Sequence, residues 1–372
     1  MSDKKSYSGF IKHMQSWVIG LPESERLMPL LETRLSPEEA EFLADFPFLP
    51  TAREQLAEKF GTSIEHLTAK LDPLAKRGII FRHESKDTIR YALNDSVFIF
   101  YRSPFWEGKR DGETQKLASL ANQYFYHDLG SEFRSYPTLG LRAIPVENSI
   151  KDERQVIPHE DLVKVLEQQD YFCTSNCPCR QRKNVDPNAP TCKHETFNCL
   201  HFGRLARYMV KNGMGKEISR EETMEILRAA AEAGLVHGIS NTREGMDTIC
   251  NCCSCCCLFI EPLKQPQVRK GLQPSNYLIE IDAETCKGCG LCVKRCPMQA
   301  LELVNKVSTL KPELCIGCGV CAYKCPTQSL GLVHRAKEQD FPLNFREAAV
   351  RMAQERDRDP FAEDRSQRKA TK

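Results

Sequence analysis

Cysteine is missing from the first 172 of the 372 residues, so thiol chemistry belongs to the rest of the chain. No apolar run approaches the ~18–20 residues of a membrane-spanning helix, which argues against a membrane span. The opening residues, MSDKKSYSGF, lack the apolar stretch of a secretory signal. Neither sign of charge is in excess: 52 Lys+Arg against 50 Asp+Glu leave +2. That balance supplies no polybasic footprint for nucleic acid. No dinucleotide fingerprint, Walker loop or hydrolytic triad is present, so no nucleotide or flavin site is implied. Apolar content is an ordinary 41%, which argues against wholesale disorder. The length suits roughly two to three domains.

What is there instead is 19 cysteines, all between Cys173 and Cys325. A disulfide scaffold is normally short and secreted. An odd number of thiols, tightly clustered in a long chain without a signal, points to metal. The expectation is a soluble metalloprotein of the cytoplasm, compatible with anaerobic life.

The strongest motif is Cys286-x2-Cys289-x2-Cys292-x3-Cys296-Pro297, repeated 29 residues on as Cys315-x2-Cys318-x2-Cys321-x3-Cys325-Pro326. Ile281–Val304 and Leu310–Val333 share 12 identities in 24 positions, so the segment is an internal duplication. Thiolates three residues apart can wrap one face of an iron–sulfur cube. Gly288, Gly290, Gly317 and Gly319 let the backbone curl so that its N–H groups turn toward sulfur. Flanking strands are expected at Tyr277–Asp282, Leu301–Val304 and Leu330–Val333. A pair of zinc sites is the alternative, for which this spacing is poor. Residues 272–333 resemble bacterial-type 2[4Fe-4S] ferredoxins. The resemblance implies two [4Fe-4S] clusters with crossed ligation: Cys286, Cys289, Cys292 and Cys325 for the first, and Cys315, Cys318, Cys321 and Cys296 for the second.

Eleven further cysteines lie in residues 173–257. One group is Cys173, Cys177, Cys179, Cys192 and Cys199; the other is Cys250, Cys252, Cys253, Cys255, Cys256 and Cys257. In an extended run neighbours point to opposite faces, so some of the dense run face a metal while others pack elsewhere. Between the groups, Asn198 reads as the N-cap of a helix with the stripe Phe202, Leu205, Ala206 and Met209, placing Cys199 in its first turn. Ser219-x-x-Glu222 reads as a capping box opening a second helix that stops at Gly234. Cys177, Cys179, Arg180, Cys192, Cys199, Gly234–His237 and Cys250–Cys257, ahead of the duplicated motif, resemble uncharacterised multi-cluster 4Fe-4S binding proteins of anaerobic bacteria and archaea over about residues 35–333. That resemblance implies redox iron–sulfur chemistry and names no reaction. All of these cysteines except Cys173 are candidate ligands of one or two additional clusters. A zinc site and a bank of redox-active or substrate-facing thiols are the alternatives. Arg180 and Arg182 are expected to hydrogen-bond a cluster or a carboxylate, and His237 to be a satisfied core histidine.

The expected fold class is α+β. It comprises an amphipathic leader (1–33), a winged-helix-like domain (34–95), a cysteine-rich mixed domain (96–271), a 2[4Fe-4S] ferredoxin-type domain (272–333) and a charged, partly disordered tail (334–372). In the winged-helix-like segment, helices open at Ser36-Pro37, Thr51 and Thr62, and a hairpin spans Ile79–Arg82 and Thr88–Leu93. Its third helix offers Lys70, Lys76 and Arg77 against Glu65 and Asp72, too little positive charge for DNA. Strands are expected at Leu141–Val146 and Arg154–Ile157, and helices at Glu160–Gln168 and from Asn344. The functional expectation is an electron-transfer protein serving a partner oxidoreductase or electron carrier. A redox-sensing winged-helix regulator, or an oxidoreductase whose middle cluster binds substrate, is the rival.

Overall fold

The computed structural model describes residues 3–151, 156–265, 268 and 271–359, and these are α+β. The first helix, Asp3–Gln15, buries Phe10 and Met14 completely, and Trp17 stacks on Phe48 at 4.4 Å. The leader is thus docked on the body. Ser36 opens helix Pro37–Leu43 with a reciprocal capping box to Glu39. Thr51 does not cap the next helix, Arg53–Lys59. It pairs instead with Tyr91, starting strand β1 (Thr51–Ala52). Ser63, rather than Thr62, caps helix Ile64–Lys76. Strands β2 (Ile80–Glu84) and β3 (Ile89–Leu93) form the expected hairpin, in a sheet ordered β1-β3-β2. Leu67, Leu71 and Leu74 are buried from the third helix, at about 1.5–3 kcal/mol each. The same core continues through Phe100, Trp106 and Tyr124 to Leu205 and Met209. Tyr208 ties helix Gly203–Lys211 to the hairpin by donating to the carbonyls of Ala75 (2.6 Å) and Ile80 (3.0 Å).

The middle of the chain is one antiparallel sheet of six strands: β4 (Leu141–Ala143), β5 (Phe172–Ser175), β6 (Cys199–Phe202), β7 (Lys216–Ile218), β8 (Val236–Ser240) and β9 (Thr248–Cys252). Their order is β4-β8-β9-β6-β5-β7. The sheet overturns several local expectations. The strand expected at Leu141–Val146 stops at Ala143; of that expected at Arg154–Ile157, residues 154 and 155 lie outside the described residues, and Val156 and Ile157 are not in a strand. The helix expected at Glu160–Gln168 is Leu162–Glu167, capped by Asp161. Asn198 caps nothing: Cys199–Phe202 is extended, with Cys199 opposite Ser175 and Leu200 opposite Ile249, and the helix begins at Gly203. The Ser219 capping box is formed, on helix Arg220–Glu232.

Side chains alternate across a strand. Leu200, Phe202, Ile239 and Ile249 therefore share one face, packed on Leu166 and Leu227. Cys250 and Cys252 project from the other, opposite Gly238 and Val236 of β8.

Strand β10 (Tyr277–Ile281) pairs with β13 (Leu330–His334), and β11 (Leu301–Val304) with β12 (Val307–Leu310). The expected flanking strands are present. Short helices Leu291–Arg295 and Val320–Tyr323 occupy equivalent places in the two halves. Residues 146–151 run along this unit: Val146 donates to Cys318 O (3.1 Å), Leu332 to Ser149 O (2.8 Å) and Lys151 to Leu332 O (3.1 Å). Asn344 caps helix Phe345–Glu355, as expected. Beyond it Arg358 pairs with Glu132 and donates to the carbonyls of Trp17 and Val18, 341 and 340 residues away in sequence. Among the described residues no helix is long and apolar enough to cross a membrane.

Candidate metal centres

The duplicated motif builds two matching cavities. Gly288 and Gly317 have φ of 62° and 68°, Gly290 and Gly319 73° and 75°, and Gln299 and Gln328 both 55°. Each motif therefore makes the same two left-handed turns before its short helix. One cavity is lined by Cys286, Cys289 and Cys292 with Cys325 from the second motif. The other is lined by Cys315, Cys318 and Cys321 with Cys296 from the first. N–H and O–H donors face the sulfurs. The Ser308 amide donates to Cys286 Sγ (3.5 Å) and the Ala300 amide to Cys296 Sγ (3.2 Å). The Ser308 hydroxyl lies 3.2 Å from Cys292 Sγ, and the Ser329 hydroxyl 3.3 Å from Cys325 Sγ. Burial raises the Cys325 thiol, but the Ser329 and Thr327 hydroxyls outweigh it and hold the thiol down to about 7. Burial pushes Cys318, wholly inside, up to about 12. An all-thiolate donor set with amide hydrogens turned to sulfur fits iron–sulfur clusters.

The glycines are needed for closeness as well as for φ. A methyl group at Gly317 would lie 2.1 Å from Ser275 Oγ and 2.2 Å from Tyr277 O, whereas one at Gly290 would meet only Leu303 Cδ1, at 3.4 Å. Gly317→Ala is expected to destabilise the protein by about 2–4 kcal/mol, from left-handed strain plus overpacking. Gly290→Ala carries only the strain, roughly 1–2 kcal/mol. Denaturant midpoints that rank the two in the reverse order would contradict this reading.

In the middle region the sheet, its following turn and one short helix gather ten cysteines into two groups. The first is Cys192, Cys253, Cys255 and Cys256, whose sulfurs all lie within 4.8 Å of one another. Cys192 is held there by its amide, which donates to Asn184 Oδ1 (2.7 Å), and the Lys183 ammonium donates to Cys255 O (2.9 Å). Cys253 is held down to about 3, first by the Cys256 thiol and then by the Arg180 guanidinium.

The second group is Cys177, Cys179, Cys199, Cys250, Cys252 and Cys257. Cys177 precedes helix Pro178–Val185, and Cys179 lies in its first turn. The thiols meet in sequence: Cys177 with Cys179, Cys179 with Cys257, Cys257 with Cys252, Cys252 with Cys250, and Cys250 with Cys199. Cys199 in turn feels the charge of Cys177. All six line a cavity of about 920 Å³.

Residues 250–257 are thus divided, with 250, 252 and 257 on one group and 253, 255 and 256 on the other. The split arises because the chain turns at Ser254–Cys256 after β9 ends: Cys253, Cys255 and Cys256 converge with Cys192, while Cys250, Cys252 and Cys257 lie elsewhere, Cys252 and Cys257 among apolar core residues. Cys199 joins from a strand and receives no helix dipole. Cys173 belongs to neither group; burial in the N-terminal core pushes its thiol up to about 12.

Helix Pro178–Val185 carries three buried cations. Arg180 donates to the carbonyls of Glu195 and Asn251 and to Asn198 Oδ1 (2.7 Å). It also neighbours Cys177 and Cys252 of one group and Cys253 of the other. Arg182 donates to Asn122 Oδ1 and lies about 6 Å from the Tyr101 and Tyr126 rings. Among the described residues neither guanidinium reaches a carboxylate, the partner expected as one option. His237 is a satisfied core histidine as expected: its Nδ1 is 2.7 Å from Asn251 Oδ1, and burial pushes it down to about 4. Arg102, 3.3 Å from Thr248 Oγ1 and facing Cys199 and Cys250, had no local signal in the sequence.

Comparison with known proteins bears on the C-terminal part. Residues 278–340 match the 4Fe-4S dicluster domain family. A 51-residue stretch is 37% identical to Protein Pixie of Drosophila melanogaster, covering 12% of this chain and 8% of that protein. The chain therefore spans less than a tenth of that relative's length. On the matched family and the gathered thiols, the chain carries an iron–sulfur dicluster domain behind a second, separate concentration of cysteines.

Proposed function

We propose that this chain is a multi-cluster iron–sulfur electron-transfer protein of the cytoplasm, serving a partner oxidoreductase or electron carrier. Cys286, Cys289, Cys292 and Cys325 hold one [4Fe-4S] cluster, and Cys315, Cys318, Cys321 and Cys296 hold the other. The observation that carries this is the pair of matching cavities, each lined by three cysteines of one motif and the fourth of its repeat. Cys192, Cys253, Cys255 and Cys256 hold a further cluster, supported by four converging sulfurs without a histidine. Such clusters, when bound, take up and release single electrons. The protein's own part is to orient the thiolates, direct amide and hydroxyl hydrogens at them, and limit water. Cys289 is exposed, and Leu291, Leu303 and Val304 beside it are exposed apolar side chains. A partner redox protein is best served on this side.

The three helices and the sheet of residues 37–93 we read as a winged-helix-like unit used for packing rather than for DNA. Two of the three cations on its third helix are engaged internally: Lys70 lies 3.8 Å over the Phe42 ring and Arg77 pairs with Glu39 at 2.8 Å.

The test is a reductive titration of the anaerobically purified full chain, followed by EPR. At least two electrons per chain should be taken up by about two interacting [4Fe-4S] centres and returned to oxidised methyl viologen. A chain containing zinc and no inorganic sulfide, or one that takes up no electrons reversibly, would sink the proposal.

A further inference from the structure

We infer that Cys177, Cys179, Cys199, Cys250, Cys252 and Cys257 together hold one iron–sulfur cluster larger than a cubane, distinct from the four-cysteine centre beside it. This rests on the iron–sulfur reading above and goes beyond it in the size and ligand set of one site. A cubane takes four terminal thiolates, one per iron. Here six thiols line one cavity, and successive neighbours link Cys177 through Cys179, Cys257, Cys252 and Cys250 to Cys199. Their placement is built into the fold: Cys250 and Cys252 share a sheet face, Cys199 comes from the adjoining strand, and Cys177 and Cys179 sit at the start of a helix that Arg180 ties to β9 through the Asn251 carbonyl.

Space and charge agree with that count. All six thiols open on one cavity of about 920 Å³, which many other side chains also line. More terminal thiolates mean more buried negative charge, which must be offset locally. Three guanidiniums supply the offset: Arg102 toward Cys199 and Cys250, Arg180 toward Cys177, and Arg182 toward Cys179. Arg180 and Arg182 are fully buried, yet Arg180 Nε and Arg182 Nε and Nη2 have no hydrogen-bond partner among the described residues. Buried donors of this kind call for acceptors, and the sulfides of a cluster are acceptors. Six thiolates could also hold two zinc ions, but structural zinc sites close tightly around the metal, and this one opens into a large cavity.

The experiment is native mass spectrometry of the anaerobically purified full chain, wild type against the double variant Cys199→Ser, Cys250→Ser, with iron, zinc and sulfide counted. The variant is expected to lose more than about four irons with their sulfide, while the EPR of the two C-terminal centres stays unchanged. A loss of about four irons or fewer, or a loss of zinc, overturns the inference and leaves the electron-transfer reading standing. Absence of sulfide from the wild-type chain overturns both. Should the double variant not fold, the wild-type mass decides. Metal ions beyond about sixteen, the number four cubanes would contain, support the larger cluster, and sixteen or fewer overturn it.

Discussion

Arg180→Ala should be the most damaging single substitution in the middle of the chain, destabilising it by about 3–5 kcal/mol, the range for removing one partner from a buried charged network. Arg180 is fully buried and donates to three acceptors, of which Asn198 Oδ1 and the Asn251 carbonyl are themselves buried. Removing it strands the carbonyls of Glu195 and Asn251 and the Asn198 amide oxygen. It also removes the positive charge between the two thiol groups, so Cys177, Cys252 and Cys253 all lose part of what favours their thiolate form. Metal should therefore fall at both middle centres together, while the dicluster domain keeps its own. Arg180→Lys retains the charge but cannot present the same fork of donors, so its loss should be intermediate. Anaerobic denaturation combined with iron analysis checks this. A midpoint within about 0.5 kcal/mol of wild type, the usual range for an inconsequential surface change, would show that the guanidinium is dispensable.

Cys325→Ala is expected to abolish the normal EPR signal of the centre built on Cys286, Cys289 and Cys292, and to leave that of the Cys315, Cys318 and Cys321 centre in place. Cys325 follows its own motif in sequence but lines the other motif's cavity, where the Ser329 hydroxyl also faces its sulfur. Cys296→Ala should give the reciprocal result, because Cys296 lines the second cavity and is satisfied there by the Ala300 amide. If each substitution altered only the centre of its own motif, the crossed arrangement would be wrong.

How much of this was legible in the sequence depended on whether the determinant was local. The turns of the duplicated motif were readable because glycine spacing dictates them, and they recur at positive φ 29 residues apart. The Ser36 and Ser219 capping boxes are likewise four-residue events. Thr62 was misread by one residue, since Ser63 supplies the cap, whereas Thr51 and Asn198 were misread because a capping side chain is only one way to satisfy a backbone. Thr51 is taken by pairing with Tyr91, and the Asn198 region by β6 pairing with β9 about 50 residues later. The meeting of Cys192 with the turn after β9 spans 61 residues, and no spacing rule announces it. The division of residues 250–257 was hidden for a subtler reason. Alternation holds only while the strand lasts, and β9 ends at Cys252, between the two groups it serves. Arg102, 97 and 148 residues from the two cysteines it faces, was beyond any local reading.

The contacts of Arg358 have a consequence for the order in which the molecule is made. The carbonyls of Trp17 and Val18 meet Arg358 only after some 340 further residues have been synthesised, and the carboxylate of Glu132 meets it after 226. At roughly 5–20 residues per second, that delay is tens of seconds on the ribosome. During it the clasp that joins Val18 to Met352 and Ala353 is open. The cysteines of the candidate centres, from Cys177 to Cys325, all emerge within that interval, before the last helix fastens the early residues to the late ones.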